Sequence, residues 1–164
     1  MAIDQNWFVA VISGRRRDAK AGAARAFLLA ASLGYHLVVH VRNASYNHRF
    51  LRSHRVDAAV LCVGNLTTGG TGKTPLVVWV CQDLRARGIR CTILTRGYKT
   101  RSGEVSDEPA LLAAQCPDVP VVVNPDRVAG AAEAIRTHEA QVLVMDDGFQ
   151  HRRLARDLDI VAID

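Results

Sequence analysis

A glycine-rich stretch, Gly64-Asn-Leu-Thr-Thr-Gly-Gly-Thr-Gly-Lys-Thr74, stands between a short apolar run at residues 59–63 and a helical pattern at 75–87. Strand, glycine loop and helix form the setting in which a backbone wraps phosphate: small residues let successive N–H groups curl around the oxygens, and the helix adds its positive end. In such a loop Lys73 bridges the β- and γ-phosphates and the Thr74 hydroxyl ligates Mg²⁺. The strict G-x-x-x-x-G-K-[ST] spacing asks for glycine at position 67, where this chain has Thr67; Gly69-Gly70-x-Gly72-Lys73-Thr74 is intact. The expected nucleotide-contacting set is Thr67, Thr68, Gly69, Gly70, Thr71, Gly72, Lys73 and Thr74. An ordinary glycine turn ahead of Lys-Thr is the alternative, and the flanking strand and helix argue against it. The loop specifies a nucleotide without distinguishing a kinase, a GTPase or a motor.

From residue 59 onward the chain alternates apolar runs with helical patterns. Strands are expected at 59–63, 89–95, 119–123, 141–145 and 159–163. Helices are expected at 75–87, at 108–115 behind Asp107, and from Pro125 to about residue 138. Strands separated by helices imply parallel pairing. Runs such as Val121-Val122-Val123 and Val142-Leu143-Val144 are apolar throughout, as strands covered on both faces are. The expected fold class is α/β, a P-loop NTPase-type doubly wound parallel sheet with helices on both faces.

Val142-Leu143-Val144-Met145-Asp146-Asp147 is an apolar strand that ends in two carboxylates. A rigid strand delivering an oxygen to a Mg²⁺ shell has this form, so Thr74, Asp146 and Asp147 are the candidate metal ligands. A polar strand end before a tight Asp-Gly turn looks the same in isolation. Asp107 precedes Glu108-Pro109 at a loop–helix junction. It suits a helix cap at least as well as a base for an attacking hydroxyl. Arg96 and Tyr98 follow a strand, Arg127 opens a helix after another, and Gln150 and His151 adjoin the acid pair. Each can touch a substrate anion or be an ordinary polar turn. Arg152, Arg153 and Arg156 read as a solvated face.

Charge divides the chain. Residues 1–60 hold nine Arg/Lys against three acids, a net of +6; residues 61–164 hold twelve against thirteen, a net of −1. The surplus belongs to an N-terminal arm on a near-neutral body, which suits an anionic surface better than nucleic acid. Aromatic content of 5% offers little for base stacking. Residues 26–41 form an apolar run of about 16 residues, against about 20 for a bilayer span, so an interfacial helix is expected. The expected division is a helical, basic, membrane-surface segment at 1–45 and a nucleotide-binding core at 46–164. Cys62, Cys81, Cys91 and Cys116 form no C-x-x-C pair, and reduced, mostly buried thiols are expected.

The ordered motifs together resemble the tetraacyldisaccharide 4′-kinase (lipid A 4′-kinase) family. They are Val63-Gly-Asn-Leu-Thr-Thr-Gly-Gly-Thr-Gly-Lys-Thr-Pro75, Thr95-Arg-Gly-Tyr98, Ser106-Asp-Glu-Pro109, Asn124-Pro-Asp-Arg-Val128, Asp146-Asp-Gly-Phe-Gln-His151, Leu154-Ala-Arg-Asp-Leu158 and Ile160-Val-Ala-Ile-Asp164. The resemblance runs from about Arg42 to Asp164. It implies transfer of the γ-phosphate of ATP to the 4′-hydroxyl of a tetraacylated glucosamine disaccharide 1-phosphate, at the cytoplasmic face of the bacterial inner membrane. It implies Asp107 as catalytic base with Lys73, and ATP and Mg²⁺ as cofactors. The implied partners are an acylated disaccharide and an anionic membrane surface, with no nucleic acid and no obligate protein partner. Family members are about twice this long and close a second, C-terminal domain over the nucleotide. Ser106 stands where a glycine is usual. The chain therefore reads as truncated before that domain, with weak or no turnover alone. Two other readings share the motifs: a deviant-Walker membrane ATPase, against which Thr68 counts because those proteins place a lysine there, and a module that binds nucleotide without turnover.

Overall fold

The computed structural model describes residues 5–65, 72–97 and 107–163, and the side chains of all of these except Gln5, Asp107 and Glu108. The chain divides into two compact units, Met1–Leu51 and Arg52–Asp164.

The first unit is helical. Helix α1 (Gln5–Ile12) is followed by α2 (Ala19–Asn47), which runs 29 residues without a break. At about 1.5 Å per residue α2 is roughly 43 Å long, against a hydrocarbon core of about 30 Å. Its most apolar 18-residue window has a mean hydropathy of 1.4, so by length and composition α2 can cross a membrane. The 16-residue run at 26–41 is continued within the same helix by 19–25 and 42–47, and it is the whole helix that reaches spanning length. Phe27, Leu29, Leu33, Leu37, Val38 and Val41 are exposed along it.

The second unit is the α/β core. In chain order it contains β1 (Ala59–Asn65), α3 (Lys73–Ala86), β2 (Cys91–Thr95), α4 (Asp107–Gln115), β3 (Val121–Val123), α5 (Arg127–His138), β4 (Val142–Asp146) and β5 (Leu158–Ala162). The strands form one sheet in the order β3-β2-β4-β1-β5, and every pairing is parallel. Side chains of one strand alternate between faces. Leu61 and Val63 of β1, Ile93 of β2 and Val144 of β4 therefore pack with Val77, Val80 and Cys81 of α3 and Leu112 of α4. Val60 and Cys62, Leu94, and Leu143 and Met145 pack on the other face with Ala131 and Ala134 of α5. Helices thus cover both faces, as the continuous apolar strands required.

The ends of the elements have local causes. Gly88, at φ +73°, turns the chain out of α3, and the Ile89 N–H donates back to Leu84 O at 3.0 Å, so β2 begins at Cys91 instead of residue 89. Val119 is held in a turn by its N–H to Cys116 O at 3.0 Å, which shortens β3 to three residues. Helix α5 begins at Arg127 because Asp126 is its cap: the carboxylate accepts from the N–H of Val128 and of Ala129. Those N–H groups, Val128 first, hold the Asp126 carboxyl below the usual carboxylate range, with Arg153 at 3.3 Å reinforcing them. All four cysteines are buried and reduced.

Candidate functional site

Parallel strands bring their carboxyl ends to one rim, and β1 and β4 are neighbours there. Val63 stands beside Asp146 in the register. β1 ends at Asn65, and α3 opens at Lys73 behind Gly72, whose φ of +69° suits a residue without a Cβ. The Lys73 Nζ donates to Asn65 Oδ1 at 3.0 Å and lies 3.3 Å from Asp147 Oδ1. One ammonium thus joins the end of β1 to the end of β4. Thr74, the next residue of α3, is half-buried.

The acid pair sits on a tightly built turn. Asp146 is 8% exposed, whereas Asp147 faces solvent in a left-handed conformation, φ +52°. The Asp147 N–H donates to Val63 O at 2.9 Å, docking the turn on β1. Gly148 has no room for a Cβ, which would strike Met145 Cε and lie 3.0 Å from Cys62 Sγ. The Phe149 ring in turn lies over Gly64, where an added Cβ would approach within 2.7 Å of it.

The other candidates divide by position. Arg127 is 3% exposed, and its guanidinium donates to Asn124 O at 3.0 Å and to Asp146 O at 3.5 Å. It is a buried cation behind the acid pair instead of part of an ordinary polar turn. Arg96 is exposed just past β2, Gln150 is exposed, and His151 is half-buried with its N–H donated to Gly148 O at 2.9 Å. Asp107 is the first residue of α4, with its side chain outside the described part. Thr67, Thr68, Gly69, Gly70, Thr71 and Tyr98 also lie outside the described residues.

Arg156 differs from the solvated face expected of it. Its side chain is 18% exposed, its Nε lies 2.7 Å from Asp159 Oδ1, and its Nη1 donates to Phe149 O at 3.1 Å and Gly148 O at 3.4 Å. It lies within the Leu154-Ala-Arg-Asp-Leu158 motif, and its partners stand three, seven and eight residues away in sequence. A separate open cleft of about 500 Å³, lined by Arg55, Asp57, Gln141 and Asp157 among others, lies at the amino ends of the strands and is remote from Lys73.

An all-parallel sheet clad on both faces, with a lysine opening the helix after its glycine loop and two carboxylates ending the adjacent strand, defines a P-loop kinase-type α/β protein. Residues 24–164 match the family model described as tetraacyldisaccharide-1-P 4′-kinase, LpxK, and the chain belongs to that family. It is similar to a crystal structure of LpxK from Aquifex aeolicus, an "apo" form in complex with ATP, with a TM-score of 0.73 and 38% identity. The match covers 84% of this chain and 48% of that one, so the chain spans about half the length of that relative.

Proposed function

We propose that this chain carries the nucleotide-binding part of a lipid kinase that moves the γ-phosphate of ATP to the 4′-hydroxyl of a tetraacylated disaccharide 1-phosphate. The observation that carries the reading is the Lys73 ammonium at the start of α3, 3.3 Å from Asp147 and followed in the chain by Thr74. Family membership and the ATP in the Aquifex protein support it.

The donor set suits Mg²⁺. Asp146, Asp147 and Thr74 supply hard oxygen atoms. Among the described residues no group of three His, Cys, Asp or Glu side chains is gathered as a closed cage. Mg²⁺ keeps several waters and takes one or two carboxylates plus substrate phosphates, so an open, two-acid site fits it. When bound, the ion neutralises charge on the phosphates. Lys73 then leaves Asp147 for phosphate oxygens, while the backbone of residues 67–74 cradles the chain of phosphates. Asp107, at the start of α4, takes the proton of the attacking hydroxyl. Arg96, Tyr98, Arg127, Gln150 and His151 are the candidates for substrate contact, with Arg127 acting from behind Asp146. Helix α2 and the basic residues around it hold the enzyme at an anionic membrane surface, on the cytoplasmic side where ATP is found.

The test combines the protein with γ-labelled ATP, Mg²⁺ and the acylated disaccharide 1-phosphate in detergent. Label in the lipid, lost in Lys73→Ala, supports the kinase. Retained ATP affinity with no label in lipid assigns nucleotide binding alone. Release of free phosphate that rises with added vesicles favours the membrane ATPase. Nucleotide binding unchanged by Lys73→Ala overturns the assignment of the loop.

A further inference from the structure

We infer that Arg156 is a positioning residue for the Asp146-Asp147 pair: its guanidinium ties the turn that carries both acids to the edge strand β5. This rests on the reading of those acids as the metal site.

The turn has reasons to drift. Asp147 occupies a left-handed conformation that a non-glycine residue adopts at some cost. Beyond Asp146 the chain leaves the sheet, so the carbonyls of Gly148 and Phe149 have no strand beside them. Arg156 supplies donors to both, at 3.4 and 3.1 Å. Its own position is fixed from the other side. Nη2 donates to Asp159 Oδ2 at 3.1 Å, and Nε stands 2.7 Å from Oδ1 as an ion-pair contact without hydrogen-bond alignment. Asp159 lies on β5 in register with Cys62 of β1. The guanidinium carbon also stands 6.0 Å from the centre of the Phe149 ring, the ring that covers Gly64. One planar cation therefore connects β5, the acid turn and the ring over the start of the glycine loop. A lysine, with a single nitrogen, reproduces the charge and not the spread of donors between the turn and β5.

A general structural role and a positioning role part company in what they move. Arg156→Ala, Arg156→Lys and the exposed control Arg55→Ala are compared as full chains. Backbone hydrogen exchange reads the Asp147 amide, which donates to Val63 O, and the His151 amide, which donates to Gly148 O. Mn²⁺, as a spectroscopic substitute for Mg²⁺, reads the acid pair in the presence of ATP. Arg156→Ala is expected to cut protection of these two amides by about ten-fold while the amides of Ile93 and Leu94 in β2 keep theirs. It weakens Mn²⁺ by about 10–100-fold, the range for groups that orient metal ligands, and leaves metal-free ATP affinity within about two-fold. Arg156→Lys, which keeps the charge and the bulk, is expected to show the same local loss, and it decides the matter if the alanine variant does not fold. Unchanged protection at Asp147 and His151 overturns the inference, as does an equal loss across the whole sheet or full rescue by lysine. If the wild-type protein shows no ATP-dependent Mn²⁺ site, the metal reading fails, and the exchange pattern still decides whether Arg156 holds the turn.

Discussion

Gly64→Ala tests how closely the acid turn is seated on the nucleotide strand. An alanine Cβ at this position would lie 2.7, 2.8 and 3.0 Å from Cε2, Cδ2 and Cζ of Phe149. Carbon atoms rest at about 3.5–4.0 Å, so the ring must retreat by roughly 0.5–1 Å. It has little freedom to do so, since Phe149 packs on the buried cluster of Leu143, Met145 and Leu154, and Arg156 lies beyond the ring. Overpacking of this kind costs about 1–3 kcal/mol. For a chain of this size each kcal/mol lowers the melting temperature by about 2–4 °C, so a drop of about 4–8 °C is expected at the midpoint of that range. The displaced ring carries the Asp147 turn with it and weakens Mg²⁺-dependent ATP binding. Differential scanning calorimetry and titration calorimetry on Gly64→Ala, Phe149→Leu and the double variant provide a cycle. A coupling of about 1 kcal/mol or more in the relieving direction is expected, because the smaller side chain makes room for the methyl. A Gly64→Ala protein that melts with the wild type, or a cycle with no coupling, refutes the reasoning.

Asp147→Asn removes the anion that holds Lys73. An exposed pair of this kind is worth about 0.2–1 kcal/mol, so ATP affinity in EDTA should rise by up to about five-fold while the gain from Mg²⁺ shrinks; a fall in metal-free affinity by titration calorimetry would count against the exchange of partners. Burial pushes the Cys62 thiol up to about 11 from 9.0. The folded state then keeps its proton where the unfolded state loses it, so this contribution is intact below about pH 9 and fades as pH rises through 11. Urea titrations between pH 8 and 11 should show falling stability, with a shallower fall in Cys62→Ala; equal slopes would contradict it. Removing residues 1–51, the whole first unit, should move the protein from vesicle pellets of anionic lipid to the supernatant and abolish the salt sensitivity of binding. Continued pelleting would place the membrane contact in the second unit.

The alternation of elements was readable because parallel strands buried on both faces must be apolar along their whole length. Val142-Leu143-Val144 and Val121-Val122-Val123 show this without any partner in view. The rim at Lys73 and Asp146 was readable for a related reason: a glycine loop and a strand-terminal acid pair each carry their chemistry in local order. What escaped was tertiary. Arg156 looks like Arg152 and Arg153 in charge, yet it is drawn inward by Asp159 three residues on and by two turn carbonyls seven and eight residues back, a fold-back that charge pattern alone does not show. Arg127 read as either an anion contact or an ordinary polar turn, and burial behind Asp146 is what the sequence did not show. The helical character of 1–45 was readable, and α1 and nearly all of α2 fall there; what the 16-residue apolar run understated was the membrane-crossing length of α2.

The strand order has a consequence for how the molecule is made. β1 is formed by residues 59–65, but both of its neighbours, β4 and β5, lie about eighty to a hundred residues further along. During synthesis the strand that ends in the glycine loop emerges before both of its partners and waits, with its two edges bare, while about eighty to a hundred further residues are added. Distant pairings of this kind are slow to close and expose the chain to aggregation. Shielding of that waiting strand during translation, more than the final strength of the sheet, is therefore expected to govern how much active protein a cell obtains.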